Sequence, residues 1–121
     1  MDPQMNLPLW TNRTDAESVT HFSEAIDAAS IHNITLFLTA MACPFGNSIV
    51  VSAEHSLNPG DPAGWNAFGA SPGASAPGNA AGVAGGIFGD TDEAIGPYVR
   101  FKAVVVVVTG GVNWSATAVL R

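Results

Sequence analysis

The run Ala103-Val-Val-Val-Val-Val108 constrains this chain more than any other stretch. Six consecutive residues carry no polar side chain. Five of them are β-branched, which suits a pleated strand better than a helix. The run is far too short to cross a bilayer as a helix, which needs roughly 20 apolar residues. Along a strand, side chains point alternately to opposite faces, so an unbroken apolar run is apolar on both. One face can join a domain core. The other needs a second layer, a loop of the same chain or another subunit; left bare, it invites aggregation.

The flanks fix the element. Tyr98, Arg100 and Lys102 alternate with Val99, Phe101 and Ala103, which predicts a strand over 98–108. Thr109-Gly110-Gly111 predicts a tight turn, because glycine accepts positive φ. Val112, Trp114, Ala116, Ala118 and Leu120 then fall on one face, with Asn113, Ser115 and Thr117 on the other. Two strands joined by that turn are expected.

Earlier segments repeat the pattern. Ile34, Leu36, Leu38 and Ala40 alternate with Thr35, Phe37, Thr39 and Met41, and Ile49, Val51 and Ala53 form the inward side of another strand. Residues 15–30 fit a helix, with Asp15 as N-cap and Ala16, Val19, Phe22 and Ile26 on one face, and fit a strand equally. Residues 1–14 are set apart as an extended N-terminal arm on a sandwich domain of 15–121. Pro3 and Pro8 discourage a helix there, and Leu7, Leu9 and Trp10 supply apolar anchors. Those anchors serve either a first strand packed on its own domain or a tail docked on a neighbour. Residues 57–64 are turn-rich, and Trp65 and Phe68 are expected to cap one end of the core. Residues 69–86 read as a long low-complexity Gly/Ala/Ser loop, followed by Ile87 and Phe88 as a short strand or anchor and an acidic turn at Asp90-Thr-Asp-Glu93. Six to eight short strands and at most one helix predict an all-β chain: a single antiparallel β-sandwich, jelly-roll-like.

Composition narrows the function. The 121 residues make one domain, and only 12% are charged, against roughly 25% in an average soluble domain. Surface of that kind is either small polar residues or buried in an assembly, and assembly is the expectation. Net charge is −6, and the four bases are Arg13, Arg100, Lys102 and Arg121. They cannot line a phosphate backbone or hold an anionic membrane, so neither nucleic acid nor membrane is an expected partner. Asp2 and the lack of a basic segment near the start do not fit a secretory signal. The single Cys43, before Pro44 and far from any basic cluster, reads as a buried structural thiol. His21, His32 and His55 lack ligand spacing, the acidic turn lacks the pattern of a calcium loop, and the glycines at 82, 85, 86 and 89 carry no Lys-Ser/Thr. No metal, no cofactor and no catalytic constellation is therefore predicted. Arg100 is expected to pair with Asp92, Glu93 or Glu54, or to reach another subunit.

The order of segments carries a resemblance. It runs Phe22-Ser-Glu-Ala-Ile26-Asp27, Asn33-Ile-Thr-Leu-Phe-Leu38, Ile49-Val-Val-Ser-Ala-Glu-His-Ser56, then a turn with Trp65, then Gly96-Pro-Tyr-Val-Arg-Phe-Lys102, a Gly-Gly turn and a last strand. Over most of residues 20–121 this resembles the small β-sandwich decoration, or cement, proteins of tailed-bacteriophage heads. The turn before Trp65 is longer than the family's D-G-x-x-W, and residues 69–86 look inserted. The resemblance implies strands across 19–26. It also implies a structural virion protein, made in the host cytoplasm and placed on the outer capsid surface. There it would bridge subunits of the major capsid protein as a homotrimer. Leu7, Leu9, Trp10, Val104, Val106, Val108 and Arg100 are the candidate contact residues. The alternative is a carbohydrate- or receptor-binding sandwich of a virion or tail, with Trp65 and Trp114 as an aromatic platform.

Overall fold

The alternating segments become strands whose apolar faces meet. The computed structural model describes residues 5–31, 33–67, 73–76, 82–88 and 96–121. Among them lie ten strands and no helix: β1 (Met5–Asp15), β2 (Val19–Phe22), β3 (Ile26–Asp27), β4 (Ile34–Ala42), β5 (Ser48–Ser56), β6 (Asn66–Ala67), β7 (Gly73–Ala76), β8 (Gly82–Phe88), β9 (Tyr98–Val106) and β10 (Val112–Leu120). The first sheet has the order β1-β10-β4-β8. The second has β2-β9-β5-β6, with β3 also on β9 and β7 also on β5. All pairings are antiparallel.

The pairings are nested. β1 meets β10, β2 and β3 meet β9, β4 meets β8, and β5 meets β6 and β7. The first half of the chain thus lies antiparallel to the second, as one long hairpin. Rolling that hairpin brings β10 beside β4 and β9 beside β5. This is a jelly-roll β-sandwich.

The inner faces interlock by size. Trp114 lies across from Ala40, Leu38 from Ala116 and Leu36 from Ala118 in the first sheet; Phe101 lies across from Ala53 in the second. All eight are at most 2% exposed. A large side chain beside a small one lets the inner faces interdigitate, which explains alanines at core positions.

Several expectations change. The strands on either side of Thr109-Gly110-Gly111 do not form a hairpin: β9 belongs to the second sheet and β10 to the first. Their inner faces are apolar in step, so the connection carries the chain across the core. Gly110 takes φ +65° within it. The strand before it ends at Val106, not at 108. Of the two readings left open for residues 15–30 the strand one holds: Asp15 ends β1, and β2 and β3 follow, as the resemblance implied. The 69–86 loop contains β7 and the first part of β8, whose backbones pair with β5 and β4. Ladder bonds come from the main chain, so low-complexity sequence does not forbid them. The predicted arm is, from Met5 onward, the edge strand β1. Leu7, Leu9 and Trp10 pack on the protein's own core and β1 pairs with its own β10, which is the first of the two readings the sequence left open. Phe68 and the acidic turn at 90–93 lie outside the described residues.

The β1 edge is poorly suited to further pairing. Its register slips between Pro8 and Trp10 and again between Trp10 and Arg13, Asn12 sits at φ +49°, and Pro8 has no N–H to donate. Bulges and proline blunt an edge against another strand.

Candidate docking surface

The outer face of the second sheet follows from the register. Val104 lies between Thr20 and Val50, Lys102 between Phe22 and Ser52, and Arg100 beside Glu54; Val106 lies beside Ser48. Their inner neighbours Ala103 and Val105 are buried, whereas Phe22 is 50% exposed, Val50 42% and Val106 40%. The chain therefore covers one face of the valine run with core and leaves much of the other open.

The apolar strip continues into the end of the sandwich. Val108 and Phe45 project there, 72% and 79% exposed. They are held, not loose. Gly46, at φ +92°, sits against Val108, so that a Cβ there would meet the valine's own Cβ at 3.7 Å. The buried Asn47 accepts the N–H of Val108 at 2.7 Å and of Thr109 at 3.2 Å, and donates Nδ2–H to the Thr109 carbonyl at 2.8 Å. Ser18 Oγ accepts the Val107 N–H at 2.9 Å. Cys43 is buried beneath this turn, its Sγ donating to the Asn47 carbonyl at 3.7 Å, and burial pushes its thiol pKa up. It is a packing residue, as its sequence context predicts.

Charge lies at the other end of the strip. The Arg100 guanidinium is stacked between Phe22, 4.3 Å to the centroid, and Trp65, 4.5 Å, while its Nε donates to Glu54 Oε1 at 2.9 Å. Of its three expected partners Glu54 is the one seen; Asp92 and Glu93 lie outside the described residues. Trp65 thus lies on the outer face, not across the end of the core. Lys102 Nζ stands 6.0 Å from the Phe22 centroid. The first sheet differs: β4 and β10 have no ionisable residue at all, and present Thr35, Phe37, Thr39, Ser115 and Thr117 outward.

A polar cluster closes the open side between β1 and β2. Asp15, 7% exposed, accepts Trp114 Nε1–H at 2.9 Å. The His21 Nε2 lies 3.1 Å from its Oδ2 and Arg13 Nε 3.4 Å from its Oδ1. Arg13 Nε also lies 3.0 Å from His21 Nε2, and the two roles exclude each other there: with its hydrogen on Nε2 His21 donates to Asp15, and without it Nε2 accepts from Arg13. Burial raises the Asp15 pKa, but the hydrogen bonds from Trp114 and His21 and the charges of His21 and Arg13 outweigh it and hold the group below its ordinary value. Trp10 packs on Trp114 with centroids 5.3 Å apart. Trp114 is therefore fully buried and cannot be a sugar platform; its size and its indole N–H are both used inside. Trp65 keeps only the face that Arg100 leaves.

At the opposite end a hollow of ≈420 Å³ is lined by His55, Leu57, Asn58, Asp61 and Asn66, among others. Asn58 and Asp61 spend their side-chain oxygens on the N–H groups of Gly60 and Ala63. Among the described residues no three His, Cys, Asp or Glu side chains converge as a metal site would require.

The structure thus gathers Val104, Val106, Val108 and Arg100 on one surface, and places Leu7, Leu9 and Trp10 elsewhere. Sequence reasoning missed Phe45 and the stacking role of Phe22. The available signal for Phe45 was a large aromatic inside a Pro-Phe-Gly turn, where polar residues are the rule.

No family model matches the sequence, and no curated protein matches it. Solved structures do match in fold. A chain from the structure of infectious bursal disease virus, Gx strain, aligns with TM-score 0.63 and 13% identity over 98% of this chain. A mutant VP2 protein of that virus, from derived T=1 particles, gives 0.60 and 14% over the same share. The Gt strain gives 0.55 and 14%. This chain spans 31% of each of those chains. At such identity the likeness establishes the shared β-sandwich fold.

Proposed function

We propose that the protein is a structural component of a virus particle, and within that class a decoration protein of a tailed-phage head. It sits on the outer capsid surface and bridges major capsid protein subunits as a homotrimer. The observation that carries this is the set of apolar side chains on the outer face and the adjoining turns, Val50, Val104, Val106, Val108 and Phe45, with the Val108 turn pinned by Asn47. A large exposed apolar patch on a small acidic domain marks a surface meant to be covered. The fold likeness to chains of virus structures supports the same reading, although a jelly roll alone fixes no function. On this reading the protein has no catalytic task, and many modest contacts add through multivalency. The glycan-binding alternative is weakened by the burial of Trp114 and the covered face of Trp65.

Quantitative mass spectrometry of purified particles tests the proposal. A copy number close to that of the major capsid protein supports shell-wide decoration. A few copies per particle move the protein to a vertex or tail, and its absence from particles removes the proposal.

A further inference from the structure

We infer that Lys102 and Arg100 together receive a carboxylate of the capsid surface on which the outer face of the second sheet docks; this rests on the decoration reading above. Lys102 is the only lysine in the chain. Among the described residues no carboxylate lies within ion-pair distance of its Nζ: the pairs formed are Arg13–Asp15, His21–Asp15 and Arg100–Glu54. An ammonium that no described carboxylate pairs, on a chain of net charge −6, is a feature to be explained.

Its surroundings define the ligand. Lys102 stands beside Phe22, half exposed, and two residues along β9 from Arg100. The Arg100 Cζ lies over both the Phe22 and the Trp65 rings, and its Nε is taken by Glu54. Guanidinium hydrogens lie in the plane of the group, so the remaining in-plane donors are its route to an anion. The stack also fixes the group in advance, which lowers the ordering cost of binding. Arg100 and Lys102 put two of the chain's four basic side chains two positions apart on this face; Glu54 is paired to Arg100 and Asp27 lies farther along beside Tyr98, so positive charge is concentrated at Lys102 on an otherwise acidic molecule. An acidic partner is repelled by the rest of the chain and attracted here, which sets orientation as well as affinity. The apolar side chains alongside, Phe22, Val50 and Val106, require that the partner's carboxylate have an aliphatic or aromatic neighbour. The occupant is thus an Asp or Glu in an apolar patch of a capsid subunit.

The test uses the whole protein and shells that lack it. Zero-length carbodiimide coupling of the bound complex, read by peptide mass spectrometry, should give an amide between Lys102 Nζ and an Asp or Glu of the shell. Lys102→Glu should weaken binding by about tenfold at low salt, and Lys102→Gln by less, the difference shrinking as salt rises. Both variants keep the melting temperature if they fold as the parent does, and the coupling result stands on the parent alone. Shells that bind the parent but give no Lys102 product, and bind Lys102→Gln and Lys102→Glu as well as the parent, overturn this inference and leave the decoration reading intact. Coupling only to other copies of the chain overturns it in favour of self-association. Failure of the parent to bind shells at all overturns the decoration reading itself.

Discussion

Replacing Asn47 by alanine isolates the device that holds the exposed end of the apolar strip. Asn47 is 2% exposed and makes three side-chain bonds to the β9–β10 connection. Alanine removes all three and leaves two N–H groups and one carbonyl without their partner. A typical intramolecular hydrogen bond contributes about 1 kcal/mol net, and a buried group left unmade costs about 1–3. Val108 and Thr109 are exposed, so water takes over part of that demand. The expected loss is therefore about 2–4 kcal/mol, not the full sum. For a domain of this size that corresponds to a fall in Tm of about 8–16 °C. Urea unfolding should show a lower midpoint with an unchanged slope, since the surface exposed on unfolding is the same. Native-state hydrogen exchange adds a local check: the Val108 and Thr109 amides should lose protection first. A loss below about 0.5 kcal/mol, within the range of ordinary surface changes, would refute the claim that Asn47 anchors the turn.

Trp114→Phe should cost about 2–4 kcal/mol by urea unfolding, because it leaves a void and takes one donor from the buried Asp15. Asp15 should also govern acid stability. Its folded pKa is depressed, so its contribution is present above the unfolded value of about 3.9 and is lost as pH falls through the folded value. Tm measured from pH 7 downward should hold level and then drop below about pH 4, and Asp15→Asn should lower Tm at pH 7 while flattening that drop. Phe45→Ser and Val108→Ser, at positions more than two-thirds exposed, should change stability by about 0.5 kcal/mol or less while weakening attachment to shells in a co-sedimentation assay.

Much of the fold was legible because period-2 alternation is a one-body property of each strand. Ile34 to Ala40 and Val112 to Leu120 are buried on the faces their spacing predicts. Pairing is a two-body property, and local pattern does not report it. Thr109-Gly110-Gly111 has the composition of a hairpin turn, yet β9 and β10 stand in different sheets. What separates them is the nested pairing of the whole chain, in which β9 is already flanked by β2 and β5 and β10 by β1 and β4. The choice between arm and first strand was open for a related reason. Leu7, Leu9 and Trp10 are not spaced by two throughout, and the bulges that turn Leu9 and Trp10 both toward the core arise only against β10. The Asp15–Trp114 bond joins residues 99 apart in sequence and left no local trace.

The same long-range contacts hold the proposed docking surface in place, and such anchoring is what separates a binding strip from an aggregation-prone one. Val108 is fixed through Asn47, Val107 through Ser18, and Phe22 through the stack on Arg100. A pre-formed surface gives up little conformational freedom on contact, so a modest apolar area can suffice where many copies act together. A mobile strip of the same composition would bind any exposed strand. Here the open valines are interleaved with Thr20, Ser48 and Ser52 and bordered by Lys102 and Arg100, while the neighbouring β1 edge is blunted by Pro8 and its bulges. The strip is thus left exposed on a chain whose β1 edge is guarded against nonspecific pairing.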